Sequence, residues 1–198
     1  MFGFGGMMIA LQGFLPYGAG VTMNPSDKGA NITLSNGNLD VSSSSGGAWQ
    51  TVRATEGRSG GRWYWEVTVT AFSAIFSGEI GIGAGDATFS LSSFLGDNPI
   101  SWGMFNAVNS TDGVTKVYTG AVSLGVNDVL MVALDLDAGK CWIGENGTWL
   151  NSGNPTIGTG EWVSDIPAGT YFPGISIWSS AQAVSVNFGA TPFVYAAP

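Results

Sequence analysis

The sequence predicts an all-β fold, an antiparallel sandwich or barrel, preceded by an extended apolar arm. Three observations predict it. Apolar residues recur with period two or in short runs, and no stretch holds a helical period. Gly, Asn and Asp turn signals separate those runs at short spacing. The composition suits strands, with 31 Gly, 11 Phe, 8 Trp and 5 Tyr and only 10% charged residues, against about 25% in an ordinary globular chain.

Residues 1–22 stand apart. They carry no charged side chain and are dense in Gly, Met and Phe. A secretory signal needs a basic leading region, which is missing, and Gly13 and Pro16 interrupt the apolar run. Gly5, Gly6, Gly18 and Gly20 disfavour an isolated helix. An uncharged apolar arm must be buried, on its own domain or on a neighbour. Residues 23–198 read as a complete sandwich without it, so a neighbouring subunit is the expected host. Phe2, Phe4, Met7, Met8, Ile9, Leu11 and Phe14 are then the expected contact residues.

Residues 24–29, NPSDKG, read as a loop. Ile32-Thr33-Leu34 and Leu39-Asp40-Val41 flank Ser35-Asn36-Gly37-Asn38 as a hairpin. Residues 49–55 alternate as a strand. Residues 62–70, RWYWEVTVT, form a longer one, with Trp63, Trp65, Val67 and Val69 on one face and Tyr64, Glu66, Thr68 and Thr70 on the other. Residues 72–77 are an apolar loop. Residues 79–84, EIGIGA, are a strand whose missing side chains allow close backbone approach. A Ser-rich connection over 86–99 leads to short strands at 101–105 and 114–118. Residues 128–149 hold the clearest pattern. An apolar run over 129–136, a turn at Asp137-Ala138-Gly139-Lys140, a strand at Cys141-Trp142-Ile143 and a turn at Glu145-Asn146-Gly147 make a β-meander, placed at the centre of a sheet. Residues 151–169 are a long loop holding Trp162. The last strands cover 171–178 and 183–188, and residues 189–198 are an extended tail.

Several stretches in this order resemble the SPRY domain family. Gly61-Arg62-Trp63-Tyr64-Trp65-Glu66-Val67 is similar to its early G-K-x-Y-W-E-V strand, and Gly81-Ile82-Gly83 to its x-G-x-G strand. Ser101-Trp102-Gly103 resembles its S-W-G element. Asp128-Val129, Leu134-Asp135, Gly139-Lys140, Trp142 and Asn146-Gly147 resemble its most recognisable stretch, and Tyr171-Phe172-Pro173 with Asn187-Phe188-Gly189 its closing pair. The resemblance departs at Met131, where the family usually has Gly, and at Cys141, where it usually has an aliphatic residue. It implies a bent antiparallel β-sandwich of two sheets, concanavalin-like, that recognises partners and takes no cofactor. The Gly- and Ser-rich style is closest to phage and bacterial members. In peptide-binding members, loops at one end of the sandwich form the site. By position that implies Trp102 and Phe105 in the S-W-G region, and Trp178 and Ser179 after the Y-F-P strand.

The same residues exclude most chemistry. There is no His, which removes the commonest general base and metal ligand. The lone Cys141 cannot form an intrachain disulfide and reads as a buried thiol. Net charge is −8, with six Lys and Arg in all, so nucleic acid is not an expected partner. No apolar run is long enough for a membrane helix. Asp135 and Asp137 read as turn-makers, with a Ca²⁺ site as the alternative. The Gly-rich strand lacks the Lys and following helix of a phosphate loop.

The expected function is therefore non-enzymatic. The protein is expected to be a structural component of a bacteriophage virion, on the capsid, head fibre or tail. It would bind other virion proteins and further copies of itself through arm and loops. The alternative is an adhesin or lectin-like module for a host-surface glycan or peptide.

Overall fold

The computed structural model describes residues 13–72, 80–105 and 124–198. Thirteen strands lie within them: β1 (Leu15–Pro16), β2 (Met23–Lys28), β3 (Ile32–Ser35), β4 (Asp40–Ser43), β5 (Gln50–Ala54), β6 (Arg62–Ala71), β7 (Ile80–Asp86), β8 (Ser101–Phe105), β9 (Val129–Asp135), β10 (Lys140–Glu145), β11 (Thr148–Trp149), β12 (Tyr171–Ile177) and β13 (Ala183–Asn187). The larger sheet runs β11-β10-β9-β6-β13-β4-β3, with β1 beside β6. The smaller runs β2-β5-β12-β7-β8. Antiparallel ladders build both, and β1 against β6 is the parallel exception. The expected all-β sandwich of two antiparallel sheets is the fold observed.

Strand β6 shows how the pattern makes the core. Its alternation sends Trp65, Val67 and Val69 between the sheets, where they meet Leu130, Val132, Val184 and Val186 of the flanking strands and Val52, Ile175 and Ile177 of the other sheet. Trp65 is 1% exposed. Burying an indole is worth on the order of 3 kcal/mol. The opposite face of β6 places Tyr64 in a second cluster with Phe14, Met131, Ala133 and Trp142, on the outside of the larger sheet.

Three expectations change. The meander over 128–149 forms one end of the larger sheet and not its centre: β6 lies beyond β9, and the two-residue β11 is the last strand on the other side. Every residue of β9 is still buried, because the outer cluster covers its second face. The stretch NPSDKG read as a loop is mostly β2. A Pro is tolerated there because β2 is an edge strand, whose pairing with β5 breaks between Met23 and Lys28.

The arm boundary at residue 22 also moves. Strand β13 reaches only to Glu66 along β6, which leaves the start of β6 open on that side. There β1 supplies the missing pairs, Leu15 with Trp63 and Pro16 with Tyr64. Tyr17 then enters the main core, fully buried among Trp63, Trp65 and Phe188. Its hydroxyl donates to the carbonyls of Glu56 (3.0 Å) and Tyr171 (3.3 Å). The sandwich is thus incomplete without residues 13–21. A two-residue parallel pairing leaves no periodicity to read. Phe2, Phe4, Met7, Met8, Ile9 and Leu11, and the strand expected at 114–118, lie outside the described residues. Phe72 packs on the main core; the rest of the apolar loop at 73–77 lies outside them.

The turns follow their chemistry. Asn146 and Gly147 both take positive φ (49° and 84°), as a two-residue hairpin turn requires. The Asn146 side chain bridges the meander. Its Oδ1 accepts from the Val129 amide (3.0 Å) and its Nδ2 donates to Asp128 (2.8 Å).

Candidate interaction surface

Strands β5 and β12 are antiparallel neighbours, and their shared end is the pair Ile177 with Gln50. The residue before Gln50 is Trp49 and the residue after Ile177 is Trp178, so register alone puts both indoles at one end of the smaller sheet. Their rings lie 5.6 Å apart at 65°. Phe94, from the connection between β7 and β8, completes the group 5.2 Å from Trp49. All three rings are half-buried.

A row of glycines sets Phe94 in place. Leu95 is fully buried on the smaller sheet over Gly85, Gly103 and Gly174. A Cβ on Gly103 would stand 2.4 Å from the Leu95 carbonyl oxygen, and one on Gly174 3.0 Å from Leu95 Cδ1. The trough exists because three neighbouring strands lack side chains at these points. Hydroxyls fasten the same connection. Ser176 Oγ accepts from the Leu95 amide (3.0 Å) and lies 2.7 Å from Thr51 Oγ1, which donates to the Ser93 carbonyl (2.6 Å).

On the other side, residues 44–48 are exposed and small, and the Gly47 amide donates to the Trp178 carbonyl (3.1 Å). Ser179 is buried. Its amide donates to Gln182 Oε1 (3.1 Å) and its hydroxyl accepts from the Ala181 amide (3.2 Å). Ser179 therefore shapes the loop and is not a free contact. Gln182 is 1% exposed, and its Nε2 has no hydrogen-bond partner among the described residues. Across residues 44–49, 90–100 and 178–182 the one charged side chain is Asp97, which accepts from Ser93 Oγ. The surface is aromatic, polar and almost uncharged.

The other sequence-derived sites fall elsewhere. Trp102 pairs with Ala84, and Ala84 with Pro173. That is five residues along β12 from Trp178, or roughly 16 Å. Trp102 packs edge-on to Tyr171 at 5.0 Å and belongs to the core margin. The register brings Phe105, opposite Gly81 and so level with Ser176, to the Trp178 end instead. Phe14 is 5% exposed, edge-on to Trp142 (6.0 Å) and under the Arg62 guanidinium (4.2 Å). Its ring is occupied within its own domain, which corrects its assignment as a subunit contact. Sequence reasoning missed Trp49 and Phe94. The available signal was an aromatic directly after a run of small residues, Gly46-Gly47-Ala48 and Ser92-Ser93.

Asp135 and Asp137 act as turn-makers. Asp135 Oδ1 accepts from the Ala138 amide (2.9 Å) and Oδ2 pairs with Arg62 Nε (3.2 Å). Asp137 Oδ1 accepts from the Gly61 amide (2.8 Å). Among the described residues no group of three His, Cys, Asp or Glu is placed to hold a metal. Burial pushes the Cys141 thiol up to about 12, so it stays protonated near neutral pH.

The sequence pattern of the SPRY domain family matches residues 62–191. Among solved structures, the SPRY domain of human HERC1 is 16% identical. The match covers 83% of this chain and 96% of that one, with a TM-score of 0.62. The PSpry domain of TRIM65 is 15% identical over 84% and 91%, with a TM-score of 0.57. A human SPRY domain is 16% identical over 82% and 98%, with a TM-score of 0.55. No curated protein matches the sequence.

Proposed function

Because the chain belongs to the SPRY domain family, a family of interaction modules, we propose that it is a non-enzymatic recognition protein that grips a partner at the Trp49–Phe94–Trp178 end. The observation that carries this is the half-buried aromatic group set in small, uncharged loops. Large rigid rings give contact area at low entropic cost, and neutral hydroxyls and amides around them adapt to a partner's polar groups. Among the described residues no helix is long and apolar enough to cross a membrane.

The setting we propose is a bacteriophage virion, with neighbouring structural proteins and further copies of the chain as partners. The uncharged apolar stretch of residues 1–12 supports that reading, since such a segment needs a host surface. Mass spectrometry of purified particles tests it directly. Deleting residues 1–12, and not 13–21, should abolish incorporation while the sandwich stays folded. Normal incorporation of the shortened chain would refute the arm's role. Trp178→Ala and Trp49→Ala should each weaken partner binding about tenfold or more with the fold retained.

A second reading is favoured by the paired indoles. A V of two rings beside neutral polar groups also suits stacking on a host-surface sugar. A glycan array decides between them: binding lost in Trp178→Ala supports the sugar, and no binding by wild type removes it.

A further inference from the structure

Residues 193–198 lie in a groove on the outer face of the larger sheet, and the way they are held is that of a bound peptide. Tyr64, Ala133 and Trp142 form one row across β6, β9 and β10; Glu66 and Met131 belong to the next. The tail makes no strand ladder with them. It alternates nonetheless: Phe193, Tyr195 and Ala197 face inward, while Val194 is 65% exposed. The Phe193 ring stands edge-on to Tyr64 at 4.7 Å. The Tyr195 ring covers Gly147 so closely that a Cβ there would come within 2.8 Å of it.

Glu66 supplies the polar grip. It is 2% exposed, and no cation pairs with it among the described residues. Its Oε2 accepts from the Val194 amide (2.8 Å). Its Oε1 accepts from the Tyr195 amide (2.7 Å) and the Tyr64 hydroxyl (3.0 Å). A buried carboxylate held by two successive amides of the tail, where the chain bends at Val194 and Tyr195, is a recognition device. At the far end the Phe14 amide donates to the Pro198 carbonyl (3.0 Å).

Every atom of this grip comes from residues 14–147 on one side and 193–198 on the other. The two are joined through Gly189 and the exposed residues 190–192, whose carbonyls at Thr191 and Pro192 rest on Asn187 Nδ2. We propose that this groove is an interaction surface between copies of the chain, in which the tail of one copy takes the place of its neighbour's. The exchanged contacts are the same as the internal ones, so connectivity decides the outcome. The internal tail competes with an effective concentration on the order of millimolar. Exchange is rare in dilute solution and prevails where copies are crowded in an ordered assembly. This surface is separate from the aromatic end and stands or falls without it.

Two full-length variants test it. Phe193→Ala/Tyr195→Ala blanks the tail and keeps the groove. Glu66→Gln/Gly147→Ala removes an amide acceptor, sets a methyl under the Tyr195 ring and keeps the tail. Each alone should sediment as a monomer, and their mixture should form a one-to-one complex. A labelled peptide of residues 190–198 should bind the tail-blank chain about a hundredfold tighter than wild type, whose own tail competes. If either variant fails to fold by circular dichroism, the peptide is titrated to millimolar concentration against wild type. Monomers only in the mixture of folded variants, or no saturable peptide binding, overturns the proposal.

Discussion

Leu95 in its glycine trough predicts a specific pattern of double-mutant energies. Gly174→Ala puts a methyl 3.0 and 3.2 Å from the two Leu95 δ-carbons, so the pressure falls on side-chain ends. Overpacking of this kind costs about 1–2 kcal/mol. Gly103→Ala puts its methyl 2.4 Å from the Leu95 carbonyl oxygen and 2.7 Å from Leu95 Cβ. Backbone must then move, at about 3 kcal/mol. Leu95→Ala empties a fully buried site and costs about 2–5 kcal/mol. In the double variant Gly174→Ala/Leu95→Ala the new methyl enters space the leucine left, so the loss should fall short of the sum by at least about 0.5 kcal/mol. Gly103→Ala/Leu95→Ala should gain no such relief, because the carbonyl oxygen and Cβ it strikes are still there. Gly20→Ala is the control: nothing lies within 4 Å of the added atom, and the change should stay within about 0.5 kcal/mol. Urea midpoints at constant m-value measure all of these. Strict additivity in the Gly174 pair, or a Gly103→Ala cost no larger than that of Gly20→Ala, would refute the seating of Leu95. Since Phe94 adjoins Leu95, Gly103→Ala should also weaken partner binding.

Three residues give further outcomes. Cys141 should resist thiol reagents at pH 8 until the chain is unfolded, and rapid labelling of native protein would contradict its burial. Its folded value of about 12 lies above the ordinary 9.0. The unfolded chain therefore loses the proton first, and stability should fall by up to about 1.4 kcal/mol per pH unit above pH 9. Cys141→Ala should flatten that slope most around pH 9, since Tyr17, Tyr64 and Tyr171, whose hydroxyls burial also pushes up, add their share as pH nears their ordinary 10.0. Asn146→Ala removes both bridging hydrogen bonds at a positive-φ position and should cost about 2 kcal/mol in urea unfolding. Trp65→Ala should cost about 3–5 kcal/mol in the same assay, with a loss under 1 kcal/mol counting against the core assignment.

Local signals carried much of the reading and failed where pairing is distant. The alternation in β6 placed Trp65, Val67 and Val69 inside and Tyr64 and Glu66 outside, because a strand has period two whatever its neighbours are. Asn146-Gly147 announced its turn because few other residues tolerate that backbone. Trp178 was singled out by the family resemblance and not by a local signal of its own. Trp102 was not separable from it: only the register of β8 on β7 and of β7 on β12 puts them five residues apart. Trp49 and Phe94 join Trp178 through contacts distant in sequence; the small residues before each mark a candidate aromatic, and only the fold shows that the three rings meet.

The fold class, the absence of catalytic histidine and the inward faces of the strands were thus determined by sequence alone, since each depends on residue type and short-range spacing. Tertiary structure decided the rest. It put residues 13–21 inside the sandwich, by closing an open edge on β6 that no local pattern marks. It turned Gly103 and Gly174, read from sequence only as residues within strands, into a bed for Leu95. It paired Glu66 with amides more than a hundred residues away. Side-chain periodicity is set along the chain, whereas register, edges and buried polar partners are set between strands, and those exist only once the sheets have formed.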